Sequence, residues 1–156
     1  MAYIDVLPLA VAKTYLRVDD TLTEDDARIT SFINTALAHI EKQTNVLVYA
    51  RNNTYFFSNY CVYVYDYPIN LLVSPTNSEQ TEKQNYSIYT TTKTDDKKLV
   101  LNVGFDNPVD VPSEIIDCAL EYIKYLYYDA ETNKGTSNKI PPYIMGMIHT
   151  LKRFIL

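Results

Sequence analysis

Hydrophobic and polar positions alternate with two different periods along this chain, and the change of period divides it into three parts. From Leu7 to Val18 the apolar residues Leu9, Ala12 and Leu16 follow helical spacing, with Pro8 near the first turn, where its missing N–H does no harm. Asp19-Asp20 ends that short helix. Thr23 to Thr44 carries the strongest helical stripe: Ile29, Phe32, Ile33, Ala36, Leu37 and Ile40 recur at i, i+3/4, i+7/8. Thr23 is the expected N-cap, with Asp26 completing a capping-box-like pattern and Glu24, Asp25 and Asp26 facing the positive end of the dipole. Asn45 is the expected stop.

After Val46 the period shortens. Asn53 to Asp66 is rich in Tyr, Phe and Val, with Val62 and Val64 alternating against Cys61, Tyr63 and Tyr65, a strand or hairpin pattern. Ile69–Val73, Tyr86–Tyr89 and Leu99–Val103 read as shorter strands. Ser74 to Asn85 is polar, contains Pro75 and Asn77, and reads as a loop. Past the linker Asn107 to Pro112 the helical period returns over Pro112 to Ala130, through Ile115, Ile116, Ala119, Leu120, Ile123 and Leu126/Tyr127. Glu131 to Lys139 reads as a flexible loop, and Pro141-Pro142 opens a last helix, Tyr143 to Phe154. The expected fold class is α+β and mainly helical: two long helices plus short N- and C-terminal helices, packed with a small antiparallel β region. A single domain is expected over 1–156, with helices at about 7–45, the β region at about 46–105 and helices at about 112–156.

Composition narrows the function classes. The 156 residues carry a net charge of −5, and the densest basic pairs are Lys97-Lys98 and Lys152-Arg153. Gripping a phosphate backbone needs clustered Lys and Arg, so tight DNA binding is not expected. Only 3 glycines are present, which argues against a Gly-rich phosphate loop. There are 15 tyrosines, which fit an interface, strand propensity or genome composition equally well. No apolar run approaches the ~18 residues of a membrane span. Met1 to Leu9 carries Asp5 and Pro8 without a basic n-region, so no signal or transit peptide is expected. Cys61 and Cys118 form no CxxC pair and read as free buried thiols of a reducing compartment.

The search for chemistry nominates no catalytic, cofactor-binding or metal residue. HExxH, GxSxG, GxGxxG and P-loop patterns are absent. His39 and His149 read as helix-face residues. His39 has no His, Cys or Asp at i+3/4 to form a metal face. The acids from Asp19 to Asp26 lack the alternating ligands and turn glycine of a calcium loop. Aromatic platforms for single-stranded nucleic acid work beside basic residues. The Tyr55–Tyr67 stretch has no Lys or Arg between Asn52 and Leu72, so core packing or subunit contact is expected there instead.

Several motifs, in order, resemble one family. Lys13, Leu16-Arg17-Val18-Asp19, Asp25/Asp26, Ile29, Ile33, Ala36, Ile40-Glu41 and Thr44-Asn45 come first. Asp66-Tyr67-Pro68-Ile69, Val111-Pro112-Ser113-Glu114-Ile115-Ile116-Asp117-Cys118-Ala119, Tyr127-Tyr128-Asp129, Ile140-Pro141-Pro142 and Lys152-Arg153 follow. Together they resemble the tailed-phage head–tail connector (head-completion adaptor) family over nearly the whole chain. The departures are Asn45 where the family usually has glycine, and an unusually Tyr-rich strand region.

The resemblance implies a structural virion protein and no enzyme. It would form a homo-oligomeric ring of twelve below the portal protein and meet the next tail or stopper protein. DNA would pass through the lumen without specific binding, and no membrane would be involved. The implied location is the head–tail interface of the virion, with the host cytoplasm during assembly. Twelve chains would carry about −60, which disfavours tight phosphate contacts. A nucleic-acid-binding packaging module, and another virion part such as a stopper or tail-completion protein, stay open as alternatives. The candidate subunit or partner contacts are Phe32, Tyr55, Tyr63, Tyr65, and the apolar Phe154, Ile155 and Leu156, which are expected to dock within the chain or on a neighbour.

Overall fold

The computed structural model describes residues 2–58, 60–76, 78–83, 86–91, 98–132 and 140–152, the last four of α4 by backbone only. The order is α1 (Tyr3–Val6), α2 (Leu9–Leu16), α3 (Asp26–Thr44), β1 (Arg51–Phe56), β2 (Cys61–Val64), β3 (Ile69–Ser74), β4 (Glu79–Glu82), β5 (Ser87–Thr90), β6 (Lys98–Val103), α4 (Ser113–Thr132) and α5 (Pro142–Leu151). A 3-10 turn at Pro108–Asp110 precedes α4.

The expected mainly helical architecture, with two long helices and a minor β region, is overturned. Five helices, four of them of seven or more residues, share the described chain with two three-stranded antiparallel sheets, and strand makes up 25%. One sheet has the order β1-β6-β3 and the other β2-β5-β4. Part of the discrepancy is β4, which lies inside the stretch expected to be loop. All four of its residues, Glu79 to Glu82, are exposed and polar, so no apolar period marked it. Its backbone pairs with β5, Gln80 opposite Tyr89 and Thr81 opposite Ile88.

The strands also enclose a core of their own. Leu99, Leu101 and Val103 from β6 meet Val64 from β2 and Tyr89 from β5, with Leu47 from the connecting segment. β6 alternates strictly, with Leu99, Leu101 and Val103 buried and Val100 and Asn102 half-buried on the other face. On that outer face Asn102 donates to Asn52 Oδ1 (3.0 Å), and Asn70 donates to Asn102 Oδ1 (3.1 Å), an amide row across all three strands. β3 breaks the alternation through two register shifts. That is why Asn70-Leu71 and Val73-Ser74 are exposed as adjacent pairs.

The helical core is larger. Ile29, Ile33, Ala36, Leu37 and Ile40 of α3 face Ile115, Cys118, Ala119 and Ile123 of α4, with Ala12 and Leu16 of α2 and Ile144 and Ile148 of α5 closing the sides. The first expected helix forms as α2, shorter than expected because Pro8 is extended and Arg17 turns left-handed; α1, before it, was not expected and is set off by the extended Leu7. α3 begins at Asp26, so Thr23 is not its N-cap; Asp25 takes that place without a side-chain cap bond. α3 ends at Asn45 in the left-handed conformation (φ 58°), as the sequence suggests. α5 stops at Leu151, three residues before the expected Phe154, which lies outside the described residues.

Candidate assembly interface

The residues at the joint between the two cores explain why particular motifs stand where they do. Thr44 is buried; its hydroxyl donates to Ile40 O (2.8 Å) and accepts from the Val46 N–H (3.2 Å). After the left-handed Asn45, the chain runs beside Tyr67: the Tyr67 N–H donates to Asn45 O (2.9 Å) and the Leu47 N–H to Tyr67 O (2.8 Å). Leu47 then enters the sheet core while Val46 and Val48 enter the helical core. Glu41 is the hub. It is only 7% exposed and accepts from the Tyr3 hydroxyl (2.6 Å), the Val48 N–H (2.8 Å) and both terminal nitrogens of Arg51 (3.2 and 2.8 Å).

Such a carboxylate is tolerable inside because the Arg51 cation and two neutral donors fill its oxygens. Burial, and then the bond to Glu41, push the Tyr3 hydroxyl well above its ordinary range. The Arg51 guanidinium lies 4.8 Å from the Tyr49 ring centroid, and Tyr49 meets Tyr3 edge-on at 5.1 Å. Gly104 (φ 108°) closes the joint: its N–H donates to Pro68 O (2.7 Å), and a Cβ there would lie 2.1 Å from Tyr49 O.

Lys13 does comparable work at the α2–α3 connection. Its buried ammonium donates to Asp20 O (3.1 Å), Leu22 O (2.6 Å) and Asp26 Oδ1 (2.8 Å), using all three of its protons. Arg17 ends α2 in the left-handed region, with its N–H donating to Lys13 O and Thr14 O.

Aromatic surface collects on the sheets. Tyr63 (52% exposed) and Tyr65 (38%) both stand beside Tyr86, ring centroids 5.9 and 5.7 Å apart. Tyr65 and Tyr86 border a cleft of about 280 Å³ that also takes in Tyr67, Pro68, Glu82 and Lys83. Tyr63 points outward because its neighbours Val62 and Val64 turn into the sheet core. Tyr55 is placed differently: it is half-buried against that core and its hydroxyl donates to Asp66, which also accepts from Asn53 Nδ2 (3.1 Å). Burial and that bond raise its pKa above the ordinary tyrosine value. Phe32 is half-buried against the helical core, with the Arg28 guanidinium 5.5 Å from its ring. Phe154, Ile155 and Leu156 lie outside the described residues.

Sequence reasoning passed over Phe56 (65% exposed), Tyr60, Leu71 (62%) and Val73, all on the sheets or their turns. The period-two pattern of β1 held the signal for Phe56: Arg51, Asn53 and Tyr55 are half-buried, so Asn52, Thr54 and Phe56 face outward. Leu71 had no such signal, because a bulge reset its side.

A smaller aromatic area lies on the helices. Val11, Tyr15 and Tyr143 are exposed, and the Tyr15 hydroxyl donates to Glu121, whose other neighbour is Lys124 (3.6 Å). That bond, with lesser help from burial and nearby charge, pushes the Tyr15 hydroxyl up to about 12.

The candidate chemical groups are scattered. His39 lies edge-on to Tyr122 (5.7 Å), and its Nε2 is buried without a hydrogen-bond partner among the described residues. Burial, and to a lesser degree Lys42, lower its pKa. His149 is exposed on the last turn of α5. Both cysteines are free: Cys118 is buried and pushed up to about 11 by that burial, and Cys61 is half-buried. Among the described residues no three His, Cys, Asp or Glu side chains gather to hold a metal. No described helix is long and apolar enough to cross a membrane.

No protein-family model and no curated protein matches the chain. Solved structures do. A chain in the virion of a native gene transfer agent (GTA) particle superposes with a TM-score of 0.73 at 12% identity, over 100% of this chain and 94% of that one. A chain in the neck of the empty GTA particle, computed with C6 symmetry, gives 0.71 at 13% identity, over 97% and 91%. A chain in the neck of the native particle, computed with C12 symmetry, gives 0.69 at 12% identity over the same shares. At such identities the likeness establishes a shared fold over nearly the whole chain with chains of gene transfer agent particles, two of them in structures described as necks.

Proposed function

We propose that this protein is a structural subunit of a head–tail neck. In this reading it is an adaptor that forms a ring of twelve below the portal, joins the capsid to the next tail or stopper component, and lets DNA pass. The whole of residues 1–156 serves as one connector-like domain. The observation that carries the reading is the near-complete superposition on chains of GTA neck structures computed with C6 and C12 symmetry.

The surface is of the right kind. A ring subunit needs two different contact areas, because its interface is head-to-tail. Here aromatic and aliphatic side chains are exposed on the sheets (Phe56, Tyr63, Tyr65, Leu71) and, separately, on the helices (Val11, Tyr15, Tyr143). Tyrosine is a common interface residue. The net charge of −5 suits a conduit that DNA slides through without being held. The role asks for no catalysis, no cofactor and no membrane, with residence at the head–tail interface after assembly in the host cytoplasm.

The test is to purify particles from producing cells and locate the chain by electron microscopy with symmetry imposed at the neck. The expected result is one ring of this fold next to the portal. The chain's absence from purified particles would overturn the proposal. A free monomer in solution would not, because subunits of this sort can close their ring only on the portal.

A further inference from the structure

Each sheet has two edge strands; β1 and β2 contact one another within the chain, so β3 and β4 are the edges that face away from the partner sheet's edge. Among the described residues β3 ladders only with β6, and β4 only with β5. Each therefore presents an open row of backbone N–H and C=O groups, which proteins usually blunt with charge, proline or a bend. β3 is bent at its two register shifts and flanked by Pro68 and Pro75. Yet its sequence Ile-Asn-Leu-Leu-Val-Ser contains no charge, and Leu71 and Val73 are 62% and 39% exposed. β4 is the opposite. Its residues Glu79, Gln80, Thr81 and Glu82 are all exposed, so it gains nothing from core burial. Fixing each backbone residue costs roughly 1–2 kcal/mol, and β5 alone offsets that here.

We infer that β3 of one copy pairs with β4 of the next, so that the sheets run on from subunit to subunit around the ring. The inference rests on the ring reading above. A head-to-tail ring needs two unlike edges, and these two strands supply them. Pairing like with like fails on each. Antiparallel β4 against a second β4 sets Glu79 opposite Glu82 at both ends, and like charges directly opposite are destabilising. β3 against a second β3 is two-fold symmetric and stops at a dimer. β3 beside β4 has neither fault. It also places the acidic strand two strands from Lys98, which is exposed on β6 beyond the Ser74 end of β3 and carries the opposite charge.

The test uses assembled particles carrying Cys61→Ser with one cysteine on each edge: Leu71→Cys or Val73→Cys combined with Gln80→Cys or Thr81→Cys. All four sites are exposed, so the fold should tolerate them. Mild oxidation is expected to link at least one pair into a ladder of multimers of this chain, while each single cysteine gives none. Charge provides an independent readout. Val73→Glu should lower incorporation by about two- to five-fold relative to Val73→Lys, and Glu79→Lys with Glu82→Lys should restore it. An intact ring with no ladder from any of the four pairs overturns the strand pairing and leaves the ring. So does a cross-link to a different protein. Particles without this chain overturn both.

Discussion

The helices and the sheets of this protein are built on different terms. The helical core draws buried aliphatic side chains from five helices, and its stripe runs unbroken along α3 from Ile29 to Ile40. The sheet core has six buried residues, Leu47, Val64, Tyr89, Leu99, Leu101 and Val103, between two sheets of three short strands. So small a core is marginal by itself. Around it the surface leaves Phe56, Tyr63 and Leu71 more than half exposed. The difference suggests a division of labour, in which the helices hold the fold and the sheets present a surface. The Glu41 hub, bonded to α1, to Val48 and to Arg51 at the start of β1, ties the two together.

The largest effects expected from single substitutions are in the cores. Leu37→Ala and Leu101→Ala each remove a fully buried side chain and should cost about 2–5 kcal/mol in urea denaturation. The comparison sharpens in where the loss appears. Leu101→Ala should strip hydrogen-exchange protection from residues 51–103 while the α3 and α4 amides stay slow, whereas Leu37→Ala should lower protection throughout. Equal loss everywhere in both variants would show that the two regions unfold as one.

At the joint, Glu41→Ala leaves the Arg51 guanidinium, the Tyr3 hydroxyl and the Val48 N–H without their acceptor. The expected cost is about 2–4 kcal/mol, toward the lower end for a buried pair because the Arg51 side chain is still 31% exposed. Circular dichroism should show the sheet region melting before the helices.

A smaller effect comes from His39. Its pKa is lower in the folded protein than the ordinary 6.5, so the unfolded chain takes up its proton first as pH falls. His39 therefore favours folding fully above pH 6.5, and that contribution fades as pH drops from there toward the folded pKa. Replacing it with Gln should make the stability curve flatter between pH 7.5 and 5, read as the difference in urea midpoint from the parent. An unchanged slope would contradict the burial of its Nε2.

The smallest effect on stability is expected at the surface. Tyr63→Ser together with Tyr65→Ser should change the unfolding free energy by about 0.5 kcal/mol or less per site, yet impair incorporation into particles. Lost stability with normal incorporation would make the tyrosines part of the fold and not of an interface.

How much of this was legible in the sequence follows the same divide. The α3 stripe and the turn at Asn45 could be read because burial on one face imposes a period of 3.6, and a left-handed stop favours Asn or Gly. β4 could not, because a strand held only by backbone bonds leaves no apolar trace. The division of six strands into two sheets could not either, since period two says which face is buried and not what it is buried against. Among the contact candidates, Tyr63 and Tyr65 emerged outward, but Tyr55 turned in to Asp66, thirteen residues from Asn53 in a pairing no local pattern announces. Glu41 was noted as part of a motif; its role as hub became visible only once Tyr3 and Arg51 converged on it.

The most direct test of the central claim is a symmetric reconstruction of the neck of particles from cells producing this protein. Twelve copies of this fold are expected in one ring against the portal, with the exposed faces of both sheets in contact with neighbouring chains. Particles with a complete neck that lacks this chain would contradict it.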